Sequence, residues 1–92
     1  MLNITEVRVY ILDSRNSNLR AYASLTIDGC FVVHGLKVLQ GDHGLFVGMP
    51  RRKKLSGAPQ DVAHPLDTET RRHIEAAVLD AYAEIVAQFR AP

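Results

Sequence analysis

The chain has little of several things. Among its 92 residues there is one cysteine and no tryptophan, and aromatics make up 7%. A lone thiol, Cys30, closes no internal disulfide and supplies no metal-ligand pair. It fits a reducing cytoplasm, the location expected for this protein. No apolar run approaches the ~20 residues that cross a bilayer, so no membrane span and no membrane partner are expected. The N-terminus carries no basic stretch ahead of an apolar one, so no secretory signal is expected either. Excess charge is also missing, since 11 basic and 10 acidic side chains leave a formal net charge of +1. What remains, 47% apolar and 23% charged, is the composition of a folded domain with a core. A chain this short buries a modest share of its surface, which points to a partner subunit for added stability.

The few net charges are unevenly placed. Residues 1–50 balance Arg8, Arg15, Arg20 and Lys37 against Glu6, Asp13, Asp28 and Asp42. Residues 51–54 then read Arg-Arg-Lys-Lys, and without these four the formal charge of +1 becomes −3. Cationic character that would meet a polyanion is therefore concentrated in one short segment.

Hydrophobic periodicity sets the architecture. Val7, Val9 and Ile11 alternate with Arg8 and Tyr10, the period of two that marks a half-buried strand. The polar run at 13–18 reads as a loop. Leu19, Ala21, Ala23, Leu25 and Ile27 then alternate against Arg20, Tyr22, Ser24 and Thr26, and Asp28-Gly29 signals a type I′ hairpin turn. A third strand runs from Cys30 to about Gln40, Gly41-Asp42-His43-Gly44 turns, and a fourth covers Leu45–Met49 before Pro50. Residues 50–66 read as an exposed basic loop with a short extended piece at Asp61–Ala63. From 68 to 89 the spacing becomes helical, with Ile74, Ala77, Val78, Ala81, Ile85 and Phe89 on one stripe. Asp67 or Thr68 is the expected N-cap, and Glu69 suits the positive end of the helix dipole. At 1.5 Å per residue the helix is about 33 Å long, enough to cover one sheet face. The expectation is a single α+β domain over 1–92: an antiparallel β-meander of four to five strands (about 2–49), a basic loop (50–66) and one long C-terminal α-helix (about 68–89). Leu79 and Val86 lie about 120–140° round from Ile74, on a shoulder of the stripe. They either widen the core face or form a second apolar surface for another subunit or partner. Unpaired sheet edges press toward association in the same way, so a homodimer is expected.

At this point the residues carry a resemblance. The run LRAYASLTIDGCFVVHGLKVLQGDHGLFVGMP, followed by DVAHPLDTETRRHIEAAVLDAY, closely resembles the stage V sporulation protein G (SpoVG) family over about residues 4–82. The matching wording is Phe31-Val32-Val33-His34, Gly44-Leu45-Phe46-Val47, Met49-Pro50, Ala63-His64-Pro65 and Thr70-Arg71. Gly35 departs from it, standing where a polar residue is usual after Val-Val-His. The resemblance implies a small dimeric cytoplasmic bacterial regulator with a sheet and a long helix. It implies roles in sporulation, septum formation and gene expression, and binding to DNA and in some members RNA. Basic residues after Met-Pro are common in the family, and here that place holds Arg51, Arg52, Lys53 and Lys54. The family's early helical arginine corresponds to Arg71.

These residues suit that chemistry. Arginine forks pair bidentately with phosphate or guanine edges, and lysine supplies a mobile charge. Arg51–Lys54, with Arg71 and Arg72, are the candidate nucleic-acid contacts. The same run would also serve as a solubilising loop. The helix is not a groove reader along its length, because residues 67–90 hold five carboxylates against three arginines. Arg20 and Tyr22, placed on one strand face beside Arg8 and Tyr10, form a secondary candidate or an ordinary solvent face. His34, His43, His64 and His73 show no metal-ligand spacing, so no metal or other cofactor is expected. His34 is expected to be partly buried on its strand. Cys30 lacks a basic neighbour and Asp42-His43 sits in a turn, so no catalytic residue is identified and no enzyme is expected. Two functions follow: a dimeric regulator binding DNA or RNA through the basic loop, or a protein-interaction module acting on the division machinery through Leu79, Val86 and the sheet edges.

Overall fold

The computed structural model describes residues 2–12 and 17–90. Four strands, β1 (Ile4–Ile11), β2 (Leu19–Ile27), β3 (Phe31–Gly41) and β4 (Gly44–Gly48), pair as an antiparallel meander in the order β1-β2-β3-β4. A second ribbon of β5 (Arg51–Lys53) and β6 (Pro59–Asp61) follows, and the helix α1 spans Thr68–Arg90. The α+β meander with a long helix is as the periodicity indicates. Two differences concern the expected loop at 50–66. It contains a hairpin, and its extended piece lies at 59–61 instead of 61–63. Of the polar loop at 13–18, residues 13–16 lie outside the described residues.

Local chemistry explains the turns. Asp28 and Gly29 both have positive φ (53° and 65°), as a two-residue type I′ turn requires. The Thr5 hydroxyl accepts from the Gly29 amide at 2.9 Å, tying this turn to β1. Asp67 caps α1 by accepting from the Thr70 amide at 2.7 Å.

The core lies between one sheet face and α1. Leu36, Val38 and Val47 from β3 and β4 meet Val78, all of them fully enclosed, with Val9, Leu25, Met49 and Ile74 around them. The small residues Ala21 and Ala23 are buried at the centre of β2, which leaves room for helix side chains to seat. Helix residues Leu79, Ala81, Tyr82 and Ile85 pack against the margin of this core. Phe89, expected on the same stripe, is 77% exposed, because a 23-residue helix outreaches the short strands it covers.

Irregularities in the ladder reset which side chains share a face. The register shifts between Leu19 and Ala21, which sets Arg20 beside Ala21 opposite Val38 and turns it toward α1. Arg20 and Tyr22 therefore do not share a face, contrary to strict alternation. A second shift places His34 and Gly35 opposite Ser24. Gly35 has φ +85°, and a Cβ there would stand 3.3 Å from the Cβ of Pro50. That bulge swings His34 out to solvent instead of partly burying it.

No element among the described residues covers the face of the sheet away from α1. Tyr10 and Tyr22 are direct cross-strand partners there, and Leu39 pairs with Phe46. Leu36→Ala is expected to cost about 2–5 kcal/mol of unfolding free energy, read as a lower urea midpoint at unchanged m-value. Phe46→Ala, on the uncovered face, should cost about 1 kcal/mol or less in the same titration.

Candidate nucleic-acid interface

The Arg51–Lys54 run is held in an ordered hairpin. Arg51, Arg52 and Lys53 pair with Asp61, Gln60 and Pro59, and the chain reverses through a turn in which the Gly57 amide donates to the Lys54 carbonyl at 2.8 Å. Gly57 has φ +90°, a conformation that glycine adopts without steric cost. The Val62 amide donates to the Pro50 carbonyl at 2.7 Å and closes the base of the ribbon. Alternation along β5 sends Arg51 and Lys53 to one side and Arg52 to the other.

The four cations are not equivalent. Arg51 Nε lies 2.8 Å from Asp61 Oδ1, an exposed ion pair that occupies part of its charge. Arg52, Lys53 and Lys54 are exposed and make no ion pair among the described residues. They surround the concave tip of the hairpin with Leu55, Ser56 and Gly57.

The structure brings Arg51 and Arg71 together. Both line a groove along the free edge of β4, with Lys37, Phe46, Gly48 and Asp61. Arg71, in the first turns of α1, donates through Nη2 to the Val47 carbonyl at 3.4 Å. Glu75, one helical turn on, accepts from the Val47 amide at 3.4 Å. These two side chains satisfy the outward-facing backbone of an edge strand, so Arg71 has a structural task besides any ligand contact. Periodicity gives no sign of this clamp, nor of Lys37 and Phe46 in the groove. The one available signal is their placement two residues before Leu39 and one before Val47 on paired strands. Arg72 is exposed and lies outside this groove.

Arg20 lies elsewhere. It lines a separate groove with Gln40, Leu45, Leu79, Tyr82 and Val86 on the helix shoulder. Leu79 is half-buried against the core margin, and Val86 is half-buried in the same groove. A further cavity of about 560 Å³ between the helix start and the β2–β3 hairpin is lined by Leu2, Leu25, Ile27, Val33, Leu66 and Ile74, among others. It holds no lysine or arginine, so a polyanion would not settle there. No cluster of three potential metal ligands occurs among the described residues. His64 Nδ1 lies 3.0 Å from the Pro65 carbonyl, and His73 Nε2 lies 3.0 Å from the Leu2 carbonyl. Cys30 is exposed at the end of the β2–β3 turn. No helix among the described residues is long and apolar enough to cross a membrane.

The profile of the SpoVG family matches residues 2–84, which takes in the hairpin, the β4 groove and the helix start. The chain belongs to the SpoVG family. It is 48% identical over 81 residues to the "Putative septation protein SpoVG" of Bdellovibrio bacteriovorus, covering 88% of this chain and 73% of that protein. A relative of the same name in Clostridium perfringens is 44% identical over 84 residues, covering 91% and 92% of the two chains. Another, in Treponema denticola, is 46% identical over 81 residues, covering 88% and 86%. The SpoVG match includes Leu79 but stops short of Val86.

The position of Arg71 depends on the helix cap, and that cap is pH-sensitive. Hydrogen bonds from Thr70, its hydroxyl first and then its amide, hold the Asp67 carboxyl below the usual carboxylate range. A folded-state value below the unfolded one means stability that is present above the unfolded value and lost as pH falls through the folded one. Asp67→Ala is expected to lower the thermal midpoint at pH 7, and the gap to wild type should close as pH drops to about 2. Circular dichroism melts across that range read the effect, and Asp67→Ser should restore most of the midpoint at pH 7.

Proposed function

We propose that this SpoVG-family protein is a cytoplasmic regulator that acts as a dimer and binds DNA or RNA through the β5–β6 hairpin. The observation that carries this reading is the hairpin itself. It holds Arg52, Lys53 and Lys54 exposed and without ion pairs among the described residues, on a chain whose charges outside residues 51–54 sum to −3. An ordered ribbon presents cations at a fixed spacing, so less side-chain and backbone freedom is lost on meeting a phosphate backbone. Contacts of this kind position the protein without reading sequence. Arg51 and Arg71 extend the cationic surface toward β4. The printed names of the relatives support a role in septation, and sporulation and the control of gene expression follow from the family resemblance. Binding and not catalysis is the proposed activity.

A second reading rests on the shoulder groove. Leu45, Leu79, Tyr82 and Val86 leave an apolar concavity beside Arg20, which suits a protein partner in the division machinery or a second copy of the chain. In that reading the hairpin is incidental. Leu79→Glu or Val86→Glu would then abolish function in cells while nucleic-acid affinity stays unchanged in a still-dimeric protein.

Fluorescence anisotropy against salt tests the first reading. Two subunits that each neutralise three to four phosphates should give a log–log slope between about −5 and −7 on duplex DNA. Replacing residues 51–54 with alanine should remove most of the slope, measured from about 50 to 300 mM salt. Affinity that is nearly independent of salt, or a variant that binds like wild type, would overturn it.

A further inference from the structure

The uncovered face of the meander holds a pattern that the hairpin reading does not use. Helix α1 packs on one side only, yet the opposite side is not a charged solvent face. Tyr10 is 56% exposed, Tyr22 42% and Phe46 42%. Tyr10 and Tyr22 sit directly opposite each other on β1 and β2, Tyr22 faces Lys37 on β3, and Lys37 faces Gly48 on β4. One row further along the strands, Leu39 faces Phe46. Lys37 therefore stands between an exposed tyrosine pair and an exposed phenylalanine, and it makes no ion pair among the described residues.

Water-facing aromatic rings on a sheet keep apolar surface hydrated at a free-energy cost that a flat cover would relieve. The placement of the charges narrows what that cover is. Arg8, the other cation on this face, is held by Glu6 at 2.6 Å. Among the described residues, Lys37 is the cation between the rings that makes no ion pair. At two strand spacings of about 4.8 Å, β2 and β4 stand about 10 Å apart, so the tyrosine pair and Phe46 are separate platforms with one cation between them. Phe46 and Lys37 also line the β4 groove together with Arg51 and Arg71, which makes the sheet face continuous with the basic hairpin.

We propose that this face binds single-stranded nucleic acid, stacking bases on Tyr10–Tyr22 and on Phe46 with an intervening phosphate at Lys37. The proposal rests on the hairpin reading and gives it a substrate class. Aromatic rings accept any base face, so this surface adds affinity with little sequence preference. Duplex bases are stacked on each other and cannot use it, so only single strands gain. The hairpin contacts backbone on either substrate, whereas the sheet discriminates strandedness.

The test uses the full chain with labelled oligo(U) and oligo(dT) of about eight nucleotides, beside a duplex of similar length. Tyr10→Ala and Tyr22→Ala should each weaken single-strand binding about tenfold and leave duplex binding within about twofold, and Phe46→Ala, whose ring also lines the β4 groove, should weaken single-strand binding more than duplex binding. Tyr22→Phe, which keeps the ring, should bind like wild type. With no tryptophan in the chain, a Tyr82→Phe background leaves Tyr10 and Tyr22 as the emitters, and their fluorescence should be quenched by oligo(dT). Equal losses on both substrates, or unchanged single-strand affinity while alanine at residues 51–54 abolishes it, would overturn the sheet site and leave the hairpin standing. Concentration-dependent self-association that disappears in Tyr22→Ala would also overturn it, because a second copy would then be the cover. Failure of wild type to bind either substrate would sink the hairpin reading itself.

Discussion

A core with one side governs this molecule. Leu36, Val38 and Val47 pack against Val78 and Ile74 of the long helix α1, and no element among the described residues covers the opposite sheet face. Apolar burial is the main stabilising term in folding, and here it is confined to one layer of contacts. Alanines at the centre of β2 let the helix side chains seat closely, and the Asp67 cap fixes where the helix begins. Everything with functional promise lies outside that layer: the hairpin beyond β4, the shoulder groove beside the helix, and the uncovered aromatic face.

The helix start joins the core to the candidate interface. Arg71 and Glu75 reach across to the backbone of Val47 and close part of the free edge of β4. That clamp occupies an edge that would otherwise recruit another strand. It also holds Arg71 beside Arg51 at the mouth of the groove. Arg71 therefore has a structural contact as well as a place in the proposed interface, whereas the side chains of Arg52, Lys53 and Lys54 make no hydrogen bond or ion pair among the described residues.

Much of the fold is legible in the residues, because alternation and helical spacing report which groups face the core. The bounds of β2 and α1 match the pattern almost to the residue, and Asp28-Gly29 announces its turn. The misplaced side chains on the sheet have a common cause. Bulges near Arg20 and at His34-Gly35 break the two-residue period, and they moved Arg20 toward the helix and His34 into solvent. The hairpin at 51–61 was hidden because its strands are three residues each and polar throughout. At the candidate site, the cationic run is plain from the sequence. Its ion pair with Asp61, the Arg71–Val47 contact and the proximity of Lys37 and Phe46 come from tertiary placement that no local pattern encodes.

Ligand phosphate is proposed to meet the hairpin and not the helix shoulder. Amide chemical-shift mapping on the labelled protein, titrated with a short oligonucleotide, tests it most directly. The largest shifts are expected at Arg51–Lys54 and Arg71, with Leu79–Val86 nearly still. Shifts centred on Leu79–Val86, or none at the hairpin at saturating ligand, would contradict it.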